Sequence, residues 1–268
     1  VKNIIAPYLF SRTGLSDLHG FVDRHNLFAF DLDGTLAPIV DHAGKISISE
    51  AVREVLAGLC SRAPVAIITG RSRTDAAGHL GIVPRFLVGN HGAEGLPGWE
   101  EQEKTYIDTC RAWEDQLSGS PVLRDIPGVM IENKGATLSI HYRAACNQER
   151  VRLLIGRVVK ALLPPPRLVA GKCVENLLPR EAPDKGTAMQ RLMDLAGCAK
   201  GLYAGDDVTD EEVFRIKGGH LFTVKVGTEV PTQAMYYLKT QGEVVRLLKE
   251  INDRLTSVGG SHRPGGTM

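Results

Sequence analysis

The chain has 268 residues, with 32 Lys and Arg against 31 Asp and Glu for a formal net charge of +1, and 43% of its residues are hydrophobic. That composition excludes collagen-like, disulfide-scaffold and disordered classes, and the balanced charge argues against a protein that coats nucleic acid through a surplus of cations. One large domain or two small ones fit the length. No run reaches the roughly 18 apolar residues that span a bilayer, so no membrane partner is expected. The opening stretch, interrupted by Pro7 and Arg12, does not read as a secretory signal. Cys60, Cys110, Cys146, Cys173 and Cys198 are scattered without a CxxC pair, which points to reduced thiols and a cytoplasmic location.

Taken in chain order, Leu27 to Phe30 is a short apolar run that stops at Asp31-Leu32-Asp33-Gly34-Thr35, the pattern of a buried strand delivering polar groups at its carboxyl end. Ser47 and Glu50, three apart ahead of Val52, Val55, Leu56 and Leu59, predict a capping box and an amphipathic helix. Val65 to Ile68 is a second buried strand ending at Thr69-Gly70-Arg71-Ser72, and strand, helix and strand make a βαβ unit of a parallel sheet. A third strand, Phe86 to Val88, runs into Gly89-Asn90-His91-Gly92.

From 98 to 173 the character changes. A helix carrying Tyr106, Trp113 and Leu117 is followed by a hairpin, then by a helix with Val151, Leu154, Ile155, Val158 and Leu162 that Pro164 to Pro166 closes. This reads as an inserted α+β cap between core segments 1–97 and 174–268. In the hairpin, residues 137 to 143 alternate strictly, so Leu138, Ile140 and Tyr142 share one face while Thr137, Ser139, His141 and Arg143 share the other, which meets either solvent or a polar ligand. The α/β alternation then resumes. A helix opens at Asp184-Lys185-Gly186, a strand from Leu202 to Ala204 ends at Gly205-Asp206-Asp207, and a helix covers Thr209 to Ile216. A strand from Leu221 to Val226 and a last helix from Val244 to Leu255 follow, and the Gly-rich tail from Ser257 is expected to be flexible.

Ligands of open parallel sheets bind beyond the carboxyl ends of the strands. Four loops there carry charged or hydroxyl groups: Asp31 to Thr35, Thr69 to Arg71, the Lys185 helix start, and Gly205-Asp206-Asp207-Val208-Thr209-Asp210. So many carboxylates at one point require a cation, and all-oxygen donors favour a hard ion such as Mg²⁺, whose usual companion is a phosphate ester. Phosphoryl transfer needs mainly positioning and charge neutralisation. One of the pair Asp31 and Asp33 can attack phosphorus while the other holds the proton for the leaving alkoxide. Helix capping accounts for part of the Asp206, Asp207 and Asp210 cluster, whereas Lys185 at a helix start is electrostatically misplaced unless it serves a ligand. His19, His25, His42, His79, His220 and His262 show no metal spacing, and Trp99 and Trp113 read as packing residues.

Phe30-Asp31-Leu32-Asp33-Gly34-Thr35-Leu36, Thr69, Lys185 and Gly205 to Asp210 match, in order, the four motifs of the haloacid dehalogenase superfamily of phosphatases. Within it the chain resembles trehalose-6-phosphate phosphatases over about residues 25 to 250, with sharper matches at Asp33 to Ile39, Gly89 to Glu94, Leu138 to Arg143 and Gly205 to Glu211. The resemblance implies a Rossmann-like parallel-sheet core with a C2-type α+β cap that closes over substrate to exclude water. It implies Asp31 as nucleophile, Asp33 as general acid/base, and Mg²⁺ on Asp31, Asp206 and the carbonyl of Asp33, supported by Asp207 and Asp210. Thr69 and Lys185 would bind the phosphoryl group, with Gly34, Thr35, Gly70, Arg71 and His91 also expected at the substrate. Glu94, Lys134, His141 and Arg143 would hold sugar hydroxyls. One departure concerns a Glu that many members carry three residues before a Pro. Here Asn176 stands three before Pro179 and Glu175 is one step off, so either Asn176 replaces that Glu as a hydroxyl partner or the register is shifted. The implied activity is Mg²⁺-dependent hydrolysis of trehalose 6-phosphate through an aspartyl-phosphate, with a small sugar phosphate and no nucleic acid as partner; the oligomeric state is left open by the sequence, with a monomer compatible. The alternatives are sucrose 6-phosphate or mannosyl-3-phosphoglycerate as substrate, a phosphomutase, and a non-catalytic sugar-phosphate sensor.

Overall fold

A computed structural model of the chain describes residues 6–40, 46–124, 126–228 and 231–259. His42, His262 and the tail from residue 260 lie outside the described residues. The chain begins with α1 (Arg12–Phe21), β1 (Leu27–Phe30), α2 (Glu50–Cys60), β2 (Val65–Ile68), α3 (Arg73–Leu80) and β3 (Phe86–Val88). Next come α4 (Glu100–Ser118), α5 (Pro121–Arg124), β4 (Met130–Asn133), β5 (Leu138–His141), α6 (Gln148–Val159), β6 (Arg167–Gly171) and β7 (Val174–Leu178). The last third holds α7 (Lys185–Ala196), β8 (Gly201–Gly205), α8 (Glu211–Phe214), β9 (Leu221–Val226), β10 (Tyr236–Leu238) and α9 (Val244–Gly259). By their contacts the described residues form two units, a larger one within Val1–Thr69, Thr74–Leu87 and Lys185–Met268 and a smaller one within Gly70–Arg73 and Val88–Asp184. The smaller unit is thus wider at both ends than the 98–173 drawn from sequence. No helix among the described residues is long and apolar enough to cross a membrane.

The larger unit is built on a parallel sheet of six strands in the order β10-β9-β8-β1-β2-β3. Its central strands are apolar on both faces because helices cover both. Phe28, Phe30, Val65, Ile67, Leu202 and Phe222 pack with Leu56, Leu59, Leu248 and Ile251 of α2 and α9. On the opposite face Tyr203 packs its ring edge-on to Phe214 of α8, with centroids 6.0 Å apart, and a side chain at Gly201 would collide with Met189 of α7.

Two local expectations change. The N-cap of α2 is Ser49, not Ser47. Ser49 has extended backbone and its hydroxyl accepts from Val52 N at 3.3 Å, so the helix begins at Glu50. The helix expected over 209 to 216 is a 3₁₀ turn at Val208–Asp210 followed by the single turn α8. α1, α3 and β10 are absent from the elements expected from sequence, and of these α3 has almost no apolar periodicity to mark it.

The smaller unit contains an antiparallel sheet of order β4-β5-β7-β6. As the alternation requires, Leu138, Ile140 and Tyr142 join Leu177 against Trp113 of α4 and Val151 and Ile155 of α6. Trp113 is fully buried, and its indole N–H donates to the carbonyl of Pro164 at 2.7 Å, so its one polar atom is satisfied. The other face is not simply solvated, because Thr137 and Ser139 are buried as well.

Candidate active site

Strand pairing assembles the centre of the site. β1 and β8 run parallel with Phe30 opposite Ala204, and the amide of Asp31 donates to the Ala204 carbonyl at 2.9 Å, so the loops carrying Asp31 and Asp206 leave the sheet side by side. One carboxylate oxygen from each of Asp31, Asp206 and Asp210 lies within 4.8 Å of the others. Lys185, the first residue of α7 and 2% exposed, donates to Asp31 Oδ1 at 2.8 Å and to Asp210 Oδ1 at 2.7 Å. Asp210 also accepts from the Tyr203 hydroxyl at 2.6 Å and, through Oδ2, from the Asp207 amide at 2.8 Å.

Glycine is required twice at this point. Gly34 has φ of +78°, and a Cβ there would fall 2.0 Å from Asp206 Oδ2. A Cβ on Gly205 would fall 2.2 Å from Asp210 Cγ. Thr35 donates to Asp206 Oδ1 at 3.4 Å, and Gln241 pins the loop by donating to the Thr35 carbonyl at 3.0 Å.

The electrostatics show what the donor set lacks. Burial, reinforced by the Asp210 and Asp206 carboxylates and opposed by Lys185, holds the Asp31 carboxyl well above the usual carboxylate range. Asp206 is pushed up to about 7 by burial and by Asp210, with Lys185 and Lys225 pulling the other way. Burial would lower the Lys185 ammonium, but Asp210 and Asp31 outweigh it, and its pKa is raised. The Lys185 ammonium is bonded to Asp31 and Asp210 but not to Asp206, and Asp210 already accepts three bonds. Asp31 and Asp206 are therefore the pair with capacity for a hard cation, and all-oxygen chemistry suits Mg²⁺.

Of the other expected residues, Thr69 is fully buried just past β2 and Asp33 is half-buried, with Gly34 N bonded to the Ala37 carbonyl at 2.7 Å beside it. Asp207 is exposed and lies outside the acidic trio; it meets Asp210 in a reciprocal capping box, its amide donating to the Asp210 carboxylate and its own carboxylate accepting from the Asp210 amide.

The smaller unit brings a second set together. Asn90, fully buried with φ of +51°, donates to Glu94 Oε2 at 2.8 Å and to the Lys134 carbonyl at 2.9 Å, and accepts from Thr137 at 2.7 Å. Glu94 also accepts from the Arg73 amide at 2.7 Å, and burial raises its pKa. His91 lies beside Gly70, where a Cβ would meet its ring at 2.4 Å. Glu132 of β4 draws in both His141, at 2.7 Å, and Lys134, at 3.8 Å, and the His141 bond lowers its pKa. Arg143 is exposed and reaches the Lys172 carbonyl at 3.3 Å. The register pairs Ser139 with Asn176 and Ile140 with Glu175, so Asn176 shares the polar face with Ser139 while Glu175 lies on the apolar one. Asn176 accepts from Ser139 at 2.6 Å and donates to the Val169 carbonyl at 3.2 Å.

Four residues that sequence reasoning passed over matter here: Tyr203, Lys225, Asn90 and Glu132. Lys225 carried a signal, since it is a lone charge in a strand whose six positions are all buried. Tyr203 carried a weaker one, as an aromatic hydroxyl in an otherwise small, aliphatic strand. Asn90 and Glu132 had none without the pairing partner.

The sheet order, the acidic trio and the buried Lys185 define a haloacid dehalogenase-type phosphatase fold. A solved structure described as a trehalose-6-phosphate phosphatase related protein superposes with a TM-score of 0.68 at 24% identity, covering 87% of this chain and 99% of that one. The Aspergillus fumigatus trehalose-6-phosphate phosphatase gives 0.58 at 26% identity, over 92% of this chain and 99% of that one. The Synechocystis sucrose-phosphatase gives 0.56 at 17% identity, over 86% and 99%. The trehalose-phosphatase family model matches residues 29–241, and the chain belongs to that family. It is 30% identical over 246 residues to probable trehalose-phosphate phosphatase D of Arabidopsis thaliana, covering 82% of this chain, and 28% identical over 268 residues to the trehalose-phosphate phosphatase of Mycobacterium tuberculosis, covering 93%. The chain spans 65% of the length of each of these relatives.

Proposed function

We propose that the protein is a phosphoric monoester hydrolase that removes phosphate from trehalose 6-phosphate, with Mg²⁺ as cofactor. The observation that supports this most directly is the buried Lys185 shared by Asp31 and Asp210 beside Asp206, in a chain of the trehalose-phosphatase family. In this reading Asp31 Oδ attacks phosphorus in line, the bond to the sugar oxygen breaks, and Asp33 delivers a proton to the departing alkoxide. Water then attacks the aspartyl-phosphate while Asp33 takes its proton, and inorganic phosphate leaves with Asp31 restored. Lys185, Thr69 and the amides around Gly34 hold the equatorial oxygens. Asp31 and Asp206 would hold the Mg²⁺, which would supply charge neutralisation for the phosphoryl group. Asp210 keeps Lys185 in place instead of contacting substrate, and Asp207 holds Asp210 through their reciprocal capping box.

The smaller unit, read as the cap, contributes sugar recognition through Glu94, Lys134, His141 and Arg143, with Gly70, Arg71 and His91 in the adjoining loops. Asn176 is committed to Ser139 and Val169 and orders the sheet beneath that face. The test is phosphate release from trehalose, sucrose and glucose 6-phosphates in Mg²⁺ and in EDTA. Preferential, EDTA-sensitive turnover of trehalose 6-phosphate is expected, and preferential turnover of sucrose 6-phosphate, or none of any sugar phosphate, would overturn the assignment.

A further inference from the structure

Lys225 is the one Lys or Arg in the described strands of the larger unit's sheet. Strand alternation puts Phe222, Val224 and Val226 into the apolar core with α2 and α9, and so turns Thr223 and Lys225 to the opposite face. Lys225 pairs with Gly205, which has no side chain to stand in its way. Its stem is 5% exposed, and its ammonium donates to the backbone carbonyl of Asp206. That carbonyl belongs to the residue whose carboxylate completes the acidic trio and touches Gly34 and Thr35. Lys225, Gly34, Asp206, Lys239 and Gln241 together line a cavity of about 320 Å³. A lysine ammonium placed in a buried strand end is costly unless something there needs it. A cation next to a cation site is doubly so, because its charge opposes the metal.

We infer that Lys225 is a positioning residue for the metal: by gripping the Asp206 carbonyl it fixes the turn after β8, so that the Asp206 carboxylate faces Asp31 instead of swinging into the cavity. This rests on the reading that Asp31 and Asp206 hold a divalent cation. Two opposite effects then compete on removal of the ammonium. Lost repulsion alone would tighten cation binding, whereas lost positioning weakens it, and the inference requires the second to win.

The test is direct Mn²⁺ binding to the purified full chain, followed by the electron paramagnetic resonance of free Mn²⁺. Lys225→Met is expected to weaken Mn²⁺ binding about tenfold and to raise the Mg²⁺ concentration for half-maximal turnover in parallel, the size usual for groups that orient metal ligands. Lys225→Arg, which keeps a donor for the carbonyl, is expected to recover most of the affinity. Folding is checked by thermal melts, and Lys225→Gln is read in place of the Met variant should that one not fold. Unchanged or tighter Mn²⁺ binding in a folded Met or Gln variant overturns the inference. So does loss of fold in all three variants, which would make Lys225 a requirement of the core and not of the metal. Failure of the unaltered chain to bind Mn²⁺ is a different result, which overturns the metal reading itself.

Discussion

The Tyr203 hydroxyl and the Asp210 carboxylate meet at 2.6 Å, with both residues fully buried. Asp210 Oδ1 is thereby shared between a phenol and the Lys185 ammonium, and Lys185 is in turn shared with Asp31. A file of four buried groups runs from the underside of the sheet to the proposed nucleophile. Tyr203→Phe deletes only its first link. A buried hydrogen bond to a charged group contributes about 1.5–3 kcal/mol. The variant is therefore expected to melt at lower temperature and to lose roughly tenfold in turnover. Unchanged kinetics with a lowered melting temperature would show that Lys185 and the Asp207 amide hold Asp210 unaided.

Gly34→Ala is expected to be far more damaging to activity than to folding. A methyl group 2.0 Å from Asp206 Oδ2 must push that carboxylate aside, and the backbone is at φ of +78°. A drop in phosphate release of at least about 100-fold is expected, since small misplacements at a reacting centre cost on that order. Gly197→Ala is the control. Its φ of +70° is similar but nothing lies within 4 Å of the added methyl. It should lose about 1 kcal/mol of stability and keep its turnover. Equal kinetics in the two variants would contradict the steric account.

Thiol reactivity should divide by burial. All five cysteines are free thiols; Cys146 is exposed, while Cys110 is fully buried on α4, where burial and then Glu114 push its pKa up to about 12. A raised thiol pKa means less thiolate at any pH below it, hence slower alkylation. Iodoacetamide at pH 8 is expected to label Cys146 in the native protein and Cys110 only after unfolding, as read by peptide mass spectrometry. Labelling of Cys110 at native rates equal to those of Cys146 would show that the α4 core opens readily.

The parallel sheet and its strand-end loops were legible because β1, β2 and β8 are short apolar runs that stop abruptly at charged turns. Asp31, Lys185 and Asp206 were legible for the same reason, since each sits where such a run ends or a helix begins. What stayed hidden depends on partners remote in sequence. Nothing local to Tyr203 announces that Asp210 folds back over it, and Asn90 acquires its importance only from Lys134 and Thr137. Ser49 against Ser47 is a different kind of miss: two hydroxyls two residues apart satisfy the same pattern, and only backbone conformation chooses between them. Asn176 also needed the sheet register, because one step along a strand exchanges faces.

The single amide of Asn90 touches Glu94, the Lys134 carbonyl and the Thr137 hydroxyl at once. In a sugar-binding role that stitch anchors the Glu94 carboxylate to the hairpin at Lys134 and Thr137, so one short side chain sets where that carboxylate stands relative to the strand that carries His141.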